Sequence, residues 1–315
     1  MTVAVASGKG GTGKTTVSTN LAETAAARGL DVELLDTDVE EPNCHIFVSP
    51  QFESSQEVTV QVPAVDESKC IGCGACAEIC QFSAIAMAGE VPVTFPDLCH
   101  SCTGCWRVCP TGAITPRERA VGMLDRGRAA NPGATANPGA ATGSAAAAIA
   151  FVQGSLKVGE SVSSPVIHAV LGERGQAELS VIDAPPGTAC PVVEATHEAD
   201  YIILVTEPTP FGLNDLELAV EMVRKLGVPF GVVINRADVG DAGVREYCRR
   251  EGIEVLLELP DDRRVAEAYS RGELATRAVP ELRARYEELI TTVLERGAAG
   301  AAAARAHSHS GEAQL

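Results

Sequence analysis

The sequence is poor in aromatic residues, which make up 4% of the chain and include a single tryptophan. Hydrophobic residues still reach 45%, so a sizeable core has to be built from valine, isoleucine, leucine and alanine. There is no run of about 18 apolar residues, and the N-terminus has no charged leader with a cleavage site. We therefore expect a cytoplasmic protein that does not span a membrane.

Basic charge is also scarce. The chain has 25 Lys and Arg residues against 42 Asp and Glu residues, which gives a net charge of −17. Nucleic-acid binding depends on basic surface that displaces counterions, and anionic lipid repels an acidic chain. The composition therefore predicts neither a nucleic-acid partner nor a membrane partner.

Two segments lack the large apolar side chains that a packed core needs. Residues 126–148 contain the near-repeat ANPGA and are rich in alanine, glycine and proline, which predicts a flexible linker. Residues 301–315 end in AHSHSGEAQL, which predicts a disordered tail.

Elsewhere, short apolar segments alternate with helical ones. Strands are expected at 2–7, 31–35, 57–63, 148–152, 179–183, 201–206, 230–234 and 253–258, and helices at 14–28, 212–226, 241–251 and 280–296. Strands that alternate with helices predict an α/β fold with a doubly wound, mostly parallel sheet.

The segment GKGGTGKT between the first strand and the first helix fits the phosphate-loop pattern G-x-x-x-x-G-K-[ST]. Its glycines let backbone N–H groups converge on phosphate oxygens, and the helix N-terminus adds partial positive charge. Lys14 is expected to reach the β and γ phosphates of ATP, and Thr15 to hold Mg²⁺. The predicted nucleotide-binding residues of this loop are Gly8, Lys9, Gly10, Gly11, Thr12, Gly13, Lys14, Thr15 and Thr16.

The extra lysine in KGGTGKT resembles the deviant loop of the MinD/ParA and nitrogenase iron protein group of P-loop ATPases. In that group Lys9 would reach the nucleotide of a dimer partner. The run DTDVEEPN at 36–43 resembles the first switch of the group, and VIDAPPG at 181–187 its second. The resemblance implies that Asp38 orients the attacking water, with Lys9, Lys14 and Asp38 as catalytic residues.

The same resemblance implies further site residues. Asp36 and Asp183 would lie near Mg²⁺, because Asp183 ends a buried strand where a carboxylate can accept from metal-bound water. Asn235 and Arg236 match the adenine-binding position, and Pro260 and Asp261 match the loop over the base. The resemblance covers about residues 1–43 and 148–296.

Eleven cysteines are present, and eight of them lie within residues 70–109. Disulfides are rare in the cytoplasm, so this clustering indicates metal. CIGCGACAEIC and CHSCTGCWRVCP each read C-x₂-C-x₂-C-x₃-C, which resembles the bacterial two-cluster ferredoxin. There, three cysteines of one motif and the last of the other hold each [4Fe-4S] cluster. The resemblance implies that Cys70, Cys73, Cys76 and Cys109 hold one cluster, and that Cys99, Cys102, Cys105 and Cys80 hold the other.

The predicted organisation is a P-loop ATPase domain (1–63 and 117–300) interrupted by a small α+β ferredoxin-like domain (64–116). The alternative metal is zinc, but zinc motifs separate their cysteine pairs by longer loops. Cys190 follows Asp183 at the offset of a cluster ligand in the nitrogenase iron protein, yet the second cysteine of that half-site is missing from 151–165. We interpret Cys44 and Cys248 as ordinary thiols.

Three functions are compatible with an ATPase and two [4Fe-4S] clusters in one chain. ATP can gate electron transfer to a partner, the chain can be an ATPase for assembly or insertion of a metallocofactor, or it can position a cargo as ParA does. The acidic charge weakens the third. Four cysteines per cluster favour permanent redox centres, so the first ranks above the second. Expected partners are a second ATPase subunit, identical or paralogous, in a nucleotide-dependent dimer, and an unknown redox protein or metalloprotein.

Overall fold

The computed structural model describes residues 1–130 and 148–311, with side chains up to residue 298. Its strands are β1 (Thr2–Ser7), β2 (Val32–Asp36), β3 (Gln51–Val65), β4 (Ile85–Ala88), β5 (Val91–Thr94), β6 (Ile114–Ala129), β7 (Ile149–Leu156), β8 (Leu179–Pro186), β9 (Tyr201–Thr206), β10 (Phe230–Ile234) and β11 (Val255–Glu258).

Its helices connect these strands and cover the sheet. They are α1 (Lys14–Ala27), α2 (Cys44–Val48), α3 (Ala75–Ile79), α4 (Gly104–Arg107), α5 (Ser164–Leu171), α6 (Cys190–Thr196), α7 (Pro210–Leu226), α8 (Gly243–Glu251), α9 (Arg263–Ser270), α10 (Ala275–Ala278) and α11 (Pro280–Gly311).

Nine of the strands form one sheet in the order β11-β10-β9-β1-β8-β2-β7-β6-β3. The first seven in that order run parallel, and β6 and β3 are antiparallel to their neighbours. The central strands are continuous runs of buried aliphatic residues, as in β9 (YIILVT), because helices cover both faces of a parallel sheet. The predicted mostly parallel α/β fold is confirmed.

Alternate residues of the central strands supply two cores. Val3 and Val5 of β1 pack into a core with α1 and α11, whereas Ala4 and Ala6 face a core with α5, α7 and α8. Ser7 and Asp36 lie at the carboxyl ends of β1 and β2, and Asp183, which pairs with Asp36, lies three residues before the end of β8. These ends meet at one edge of the sheet, which is where ligands bind in open α/β folds.

The strand predicted at 57–63 is longer than the sequence indicated. β3 begins at Gln51 and pairs with β6 from Gln51–Arg128 to Val65–Ile114. Residues 51–57 are exposed and mostly polar, so they give no alternating pattern, and backbone pairing with β6 holds them in the sheet. The cysteine-rich segment lies between these strands and contains α3, α4 and a separate β4–β5 sheet.

The predicted linker at 126–148 begins too early. Residues 126–129 belong to β6, which pairs with β3 on one side and β7 on the other. Arg126 also donates from Nε and Nη2 to the Glu173 carboxylate at 2.6 and 2.8 Å. Two ladders of backbone hydrogen bonds therefore hold this segment in the sheet, although its composition predicted a flexible linker. The remainder of the predicted linker, 131–147, lies outside the described residues.

The predicted tail also differs from the structure. Helix α11 continues to Gly311 and so includes 301–311, a stretch rich in alanine, which has the highest helix propensity. Residues 312–315 lie outside the described residues. Among the described helices, none carries an apolar stretch long enough to cross a bilayer.

Candidate functional site

The phosphate loop connects β1 to α1 and is shaped by glycines with positive φ. Gly11 has φ 80° and Gly13 has φ 95°, which L side chains rarely adopt. A Cβ atom on Gly13 would lie 2.4 Å from Nδ2 of Asn235, which donates to the Thr12 carbonyl at 2.9 Å. Asn235 follows β10, which is separated from β1 by β9 in the sheet, so a predicted base-binding residue holds the loop from two strands away.

A buried ion cluster lies directly below the loop. The Lys14 ammonium is 3.3 Å from Oδ2 of Asp38 and 3.3 Å from Oδ1 of Asp183. The hydroxyls of Thr15 and Ser18 donate to Asp183 at 2.7 and 2.8 Å. Burial alone would lower the pKa of Lys14, but Asp183, Asp38 and Asp36 raise it, so the lysine is charged. The structure therefore brings together the predicted Lys14, Thr15, Asp38 and Asp183.

Asp36 organises the first switch segment. Its carboxylate accepts from the backbone N–H groups of Asp38, Asn43 and Cys44 at 3.2, 3.1 and 3.0 Å. Burial and the neighbouring Asp183 raise the pKa of Asp36 to about 7. The carboxyl group predicted to lie near Mg²⁺ thus also fixes the loop that carries Asp38.

Cys44 is a residue of this site that sequence reasoning missed. It is fully buried, and its Sγ donates to Oδ2 of Asp183 at 3.4 Å. One ligand atom each from Asp36, Cys44 and Asp183 lie within 4.8 Å of one another. Its position in the sequence could have indicated this role, because Cys44 directly follows the DTDVEEPN run. Ser18 was missed as well, one turn beyond Lys14 on α1.

Lys14, Thr15 and Asp38 of this cluster line a cavity of about 430 Å³. At one end it is lined by loop residues and Asp38, and at the other by Asn235, Arg236, Pro260 and Asp261 together with apolar side chains. The predicted residues that line it are Gly10, Gly11, Gly13, Lys14, Thr15, Thr16, Asp38, Asn235, Arg236, Pro260 and Asp261. A cavity of this volume, lined by phosphate-loop residues and by apolar side chains, fits a nucleotide.

The other predicted loop residues lie around this cavity without lining it. Thr12 is buried, and Gly8 packs so closely on α7 that a Cβ atom would lie 2.2 Å from the Asp215 carbonyl oxygen. Lys9 is partly exposed, and its side chain forms no ion pair within residues 1–130 and 148–298. Its backbone carbonyl accepts from the Ser7 hydroxyl at 2.7 Å. Lys9 is thus outside the lining of the cavity.

The eight clustered cysteines surround two separate cavities. One is lined by Cys70, Cys73, Cys76 and Cys109, and the other by Cys80, Cys99, Cys102 and Cys105. These are the two sets of four that the resemblance to a two-cluster ferredoxin implied. Each set combines three cysteines of one motif with the last cysteine of the other.

Backbone N–H groups donate hydrogen bonds to the last cysteine of each motif, which lines the cavity of the other motif. Ala113 donates to Sγ of Cys109 at 3.2 Å, and Ala84 donates to Sγ of Cys80 at 3.3 Å. Burial acts to raise the pKa of Cys109, but the N–H groups of Thr111 and Ile114 outweigh it and lower the pKa. The thiolate, which is the metal-binding form, is therefore favoured at this position.

The second cysteine cavity is covered by aromatic residues. His100 stacks on Phe82 with ring centroids 3.9 Å apart, and Trp106 completes the lining. Cys190 lies elsewhere, exposed at the start of α6. The structure therefore does not bring Cys190 together with the eight clustered cysteines.

A glycine-rich loop between a parallel strand and a helix, with its lysine and threonine facing strand-end aspartates, defines a P-loop ATPase. The chain belongs to the CobQ/CobB/MinD/ParA nucleotide binding domain family, whose model matches residues 3–275.

Proteins similar to this chain include uncharacterized proteins and a protein named as an iron-sulfur cluster carrier. Two uncharacterized proteins of Methanocaldococcus jannaschii are similar: MJ0579 is 28% identical over 87% of this chain and 90% of its own length, and MJ0578 is 31% identical over 75% and 78%. An iron-sulfur cluster carrier protein of Pyrococcus abyssi is 25% identical over 86% of this chain and 77% of that protein. Septum site-determining protein MinD of Pyrococcus horikoshii, solved with Mg-ADP, has the same fold, with a TM-score of 0.56 and 17% identity over 93% of this chain and 96% of that chain.

Proposed function

We propose that this protein is an ATP-switched electron carrier, in which ATP binding and hydrolysis control electron transfer through two [4Fe-4S] clusters in the cysteine-rich segment. The observation that carries the proposal is the pair of cavities, each lined by four cysteines drawn from both motifs. When bound, such clusters supply one-electron redox chemistry. The proposal makes residues 64–116 an inserted ferredoxin-like domain.

The cysteine residues suit this cofactor in number and setting. Cys76 and Cys105 are buried in a small apolar cluster with Ile85 and Ile114, which limits access of water. The backbone donors to Cys80 and Cys109 would also stabilise thiolate ligands. Four ligands per cluster leave no open position, as expected of centres that transfer electrons and remain in place.

The nucleotide site contains the residues that Mg-ATP requires. Thr15 and Asp183, joined by a 2.7 Å hydrogen bond, would hold Mg²⁺ together with Asp36, and the ion would neutralise charge on the phosphates. Lys14 would exchange its contacts with Asp38 and Asp183 for the phosphates. Asp38 would then be free to orient the attacking water, and Lys9 would act across a dimer with an identical or paralogous subunit.

The structure offers a physical connection between the two kinds of site. The Leu156 N–H at the end of β7 donates to the carbonyl of Val39, the residue after Asp38, at 2.7 Å. Four residues further on, Glu160 pairs with Arg119 of β6. A movement of the first switch would therefore displace β7 and, through Glu160 and Arg119, β6. Strand β6 follows the cysteine-rich segment directly in the chain.

Arg119 also reaches the cysteine-rich segment itself. Its Nη1 lies 3.4 Å from Asp97, two residues before Cys99. Among ion pairs of the described residues, this one alone joins residues 66–112 to the rest of the chain. A displacement of Glu160 would thus be transmitted through Arg119 to the second cysteine cavity.

The first test is metal content. Anaerobically purified protein should contain about eight irons per chain, by the ligand count of two four-iron clusters. Cys105→Ala should lose the iron of one cluster, whereas Cys248→Ala, a buried thiol of the ATPase domain, should lose none. Stoichiometric zinc without visible absorption would exclude the proposal.

The second test is coupling between nucleotide and clusters. The midpoint potentials should differ with ADP and with a non-hydrolysable ATP analogue, and ATP affinity should differ reciprocally between oxidised and reduced protein. A tenfold change in affinity, about 1.4 kcal/mol, corresponds to about 59 mV for one electron. Arg119→Ala should reduce the shift, and Arg117→Ala, an exposed arginine on the same strand, should retain it. Equal potentials in both nucleotide states would remove the gating function.

Assembly or transfer of iron–sulfur clusters is the second candidate, favoured by the Pyrococcus relative named as a cluster carrier. The two functions differ in what leaves the protein. A carrier should deliver iron and sulfide to an apo-acceptor protein and lose its absorption in doing so. An electron carrier should reduce an acceptor and keep all of its iron.

A further inference from the structure

The β4–β5 hairpin of the cysteine-rich segment has an apolar outer surface. Val91 pairs with Ala88 and Val93 pairs with Ala86, and all four residues are exposed. Pro92, between the two valines, is buried and lines the first of the two cysteine cavities. Because successive side chains of a strand point to opposite sides, one side of the hairpin faces this cavity and the other presents apolar surface to solvent. We call that surface the hairpin face, and contiguous exposed apolar surface of this kind is typical of protein contacts.

The first cysteine cavity also reaches the surface at an aliphatic residue. Ile71 lines it and is 66% exposed. The neighbouring Gly72 packs against the hairpin turn, where a Cβ atom would lie 3.0 Å from Cβ of Glu90. In the other motif the residue equivalent to Ile71 is His100, which stacks on Phe82 beside the second cavity. Exposed aliphatic surface next to the hairpin thus belongs to the first cavity, whereas aromatic rings cover the second.

The two cavities also differ in their position along the β3–β6 pair. The first is lined by Ile114, which pairs with Val65 at the end of that pair. The second is lined by Pro63, two residues closer to the ATPase domain, and the ion pair between Asp97 and Arg119 lies two residues from one of its cysteines. The first cavity is therefore the one farther from the ATPase domain along these strands.

The border of the hairpin face is acidic. Glu90 lies in the hairpin turn, and the Glu67 carbonyl accepts from the N–H of Cys70 at 3.3 Å. Both glutamates are exposed, and neither forms an ion pair within residues 1–130 and 148–298. The lysine nearby in the sequence, Lys69, is already paired with Asp66 at 2.9 Å. An apolar centre with a polar rim is the usual composition of a protein interface, and unpaired acidic groups at the rim select a basic partner.

We propose that the hairpin face and Ile71 form the docking surface for a one-electron acceptor protein whose own contact surface is an apolar patch bordered by basic residues. Electrons would leave the chain from the first cysteine cavity. The inference rests on the proposed electron-carrier function and adds the chemistry of the partner. In the transfer the carrier loses one electron and the acceptor gains one, and no bond is formed or broken.

The test measures binding of the oxidised holoprotein to cytochrome c, a basic one-electron acceptor with an apolar contact patch, by calorimetric titration at low salt. Val93→Lys should weaken binding at least about tenfold, because it places the partner's own sign of charge within the apolar surface. Leu98→Lys is the matched control, since it adds the same charge at an apolar residue that is 51% exposed next to Cys99 of the second cavity. It should change the affinity little.

Salt dependence provides the second measurement. Glu90→Gln should weaken binding at low salt and reduce its dependence on ionic strength, because a rim charge acts through screened attraction. Glu118→Gln removes the same charge from an exposed position on β6 and should leave both unchanged. All variants should retain the wild-type iron content and, after reduction with dithionite, the ability to reduce ferricyanide, a small acceptor that needs no docking surface.

The outcomes separate this inference from the proposed function. Equal weakening by the two lysine variants, weakening by Leu98→Lys alone, or no binding of cytochrome c to the wild type would overturn the docking surface. A wild-type protein that contains iron and reduces ferricyanide would still be an electron carrier in each of these cases. A protein without iron, or one that fails to reduce ferricyanide, would instead contradict the proposed function itself.

Discussion

Lys14 has a structural role in addition to the one expected of a phosphate-loop lysine. Lys14 as a whole is 6% exposed, and its ammonium group lies between the carboxylates of Asp38 and Asp183. Two carboxylates buried this closely require a counter-charge. The residue that binds phosphate is thus also the residue that neutralises the site's acidic groups.

We predict that Lys14→Ala loses ATP binding and also destabilises the fold. Removing one partner of a buried ion cluster leaves uncompensated charge and costs about 3–5 kcal/mol. Calorimetric titration with Mg-ATP and urea unfolding measure the two effects. Lys225→Ala is the control, because its pair with Glu221 is exposed to solvent, which screens the interaction. ATP affinity within a few-fold of wild type would contradict the assignment.

Lys9→Ala should separate binding from hydrolysis. The side chain lies outside the cavity, so ATP affinity of the monomer should change little. Hydrolysis and ATP-dependent dimerisation should be lost, because the lysine would act on the partner's nucleotide. Sedimentation and phosphate release measure these effects, and normal turnover in this variant would rule out a role across the dimer.

At the scale of elements, the phosphate loop after β1 is held in shape from the end of β10, two strands away in the sheet. Gly13 needs its positive φ and has no room for a Cβ atom beside Asn235. The loop, the start of α1 and the end of β10 therefore form one packed unit. A change in any of these elements should disturb the phosphate end and the base end together.

Gly13→Ala should lower both thermal stability and ATP affinity, since the methyl group would collide with the Asn235 amide and the φ of 95° is strained for alanine. We expect a loss of at least about 1 kcal/mol in urea unfolding. Gly29→Ala provides the comparison, because Gly29 also has positive φ but open space around it. If both variants lose the same stability, backbone strain alone is responsible and the contact with Asn235 is not important.

The sequence predicts those parts of the molecule whose structure is determined by nearby residues in the chain. The phosphate loop and the strand-end aspartates follow from motifs, and buried parallel strands follow from unbroken aliphatic runs such as β9. The first half of β3 was not predictable, because its exposed polar residues are held only by pairing with β6.

At the scale of the whole molecule, the cysteine-rich segment is attached through one pair of strands. Val60 of β3 pairs with Arg119 of β6, and the residues between them include all eight clustered cysteines. Val58 and Val60 pack on the core of the ATPase domain, whereas Val65 and Ile114 pack on the cysteine-rich side. The two hydrophobic clusters are therefore separate.

Replacing residues 61–118 with Asn-Gly should give a folded ATPase that binds no iron. The two flanking residues are already paired across the strands, and Asn-Gly forms the type I′ turn that joins such pairs. Circular dichroism, iron analysis and nucleotide affinity measure the outcome. An insoluble product, together with a soluble Arg117→Ala protein, would show that the ATPase domain depends on the cysteine-rich segment for its stability.

The long β3–β6 pair also has a mechanical consequence. β7 pairs with β6 only from Gly122 onward, and beyond Arg119, whose partner Val60 packs on the core, the two strands extend toward the cysteine-rich segment as a lever. At about 3.3 Å per residue the arm from Arg119 to Ile114 is roughly 16 Å long, and a rotation of about 10° at its base would move its tip by about 3 Å. Leu156, which donates to Val39, pairs with Gly122 just before that base. A displacement of the first switch too small to disturb the sheet would thus be amplified at the cysteine-rich tip.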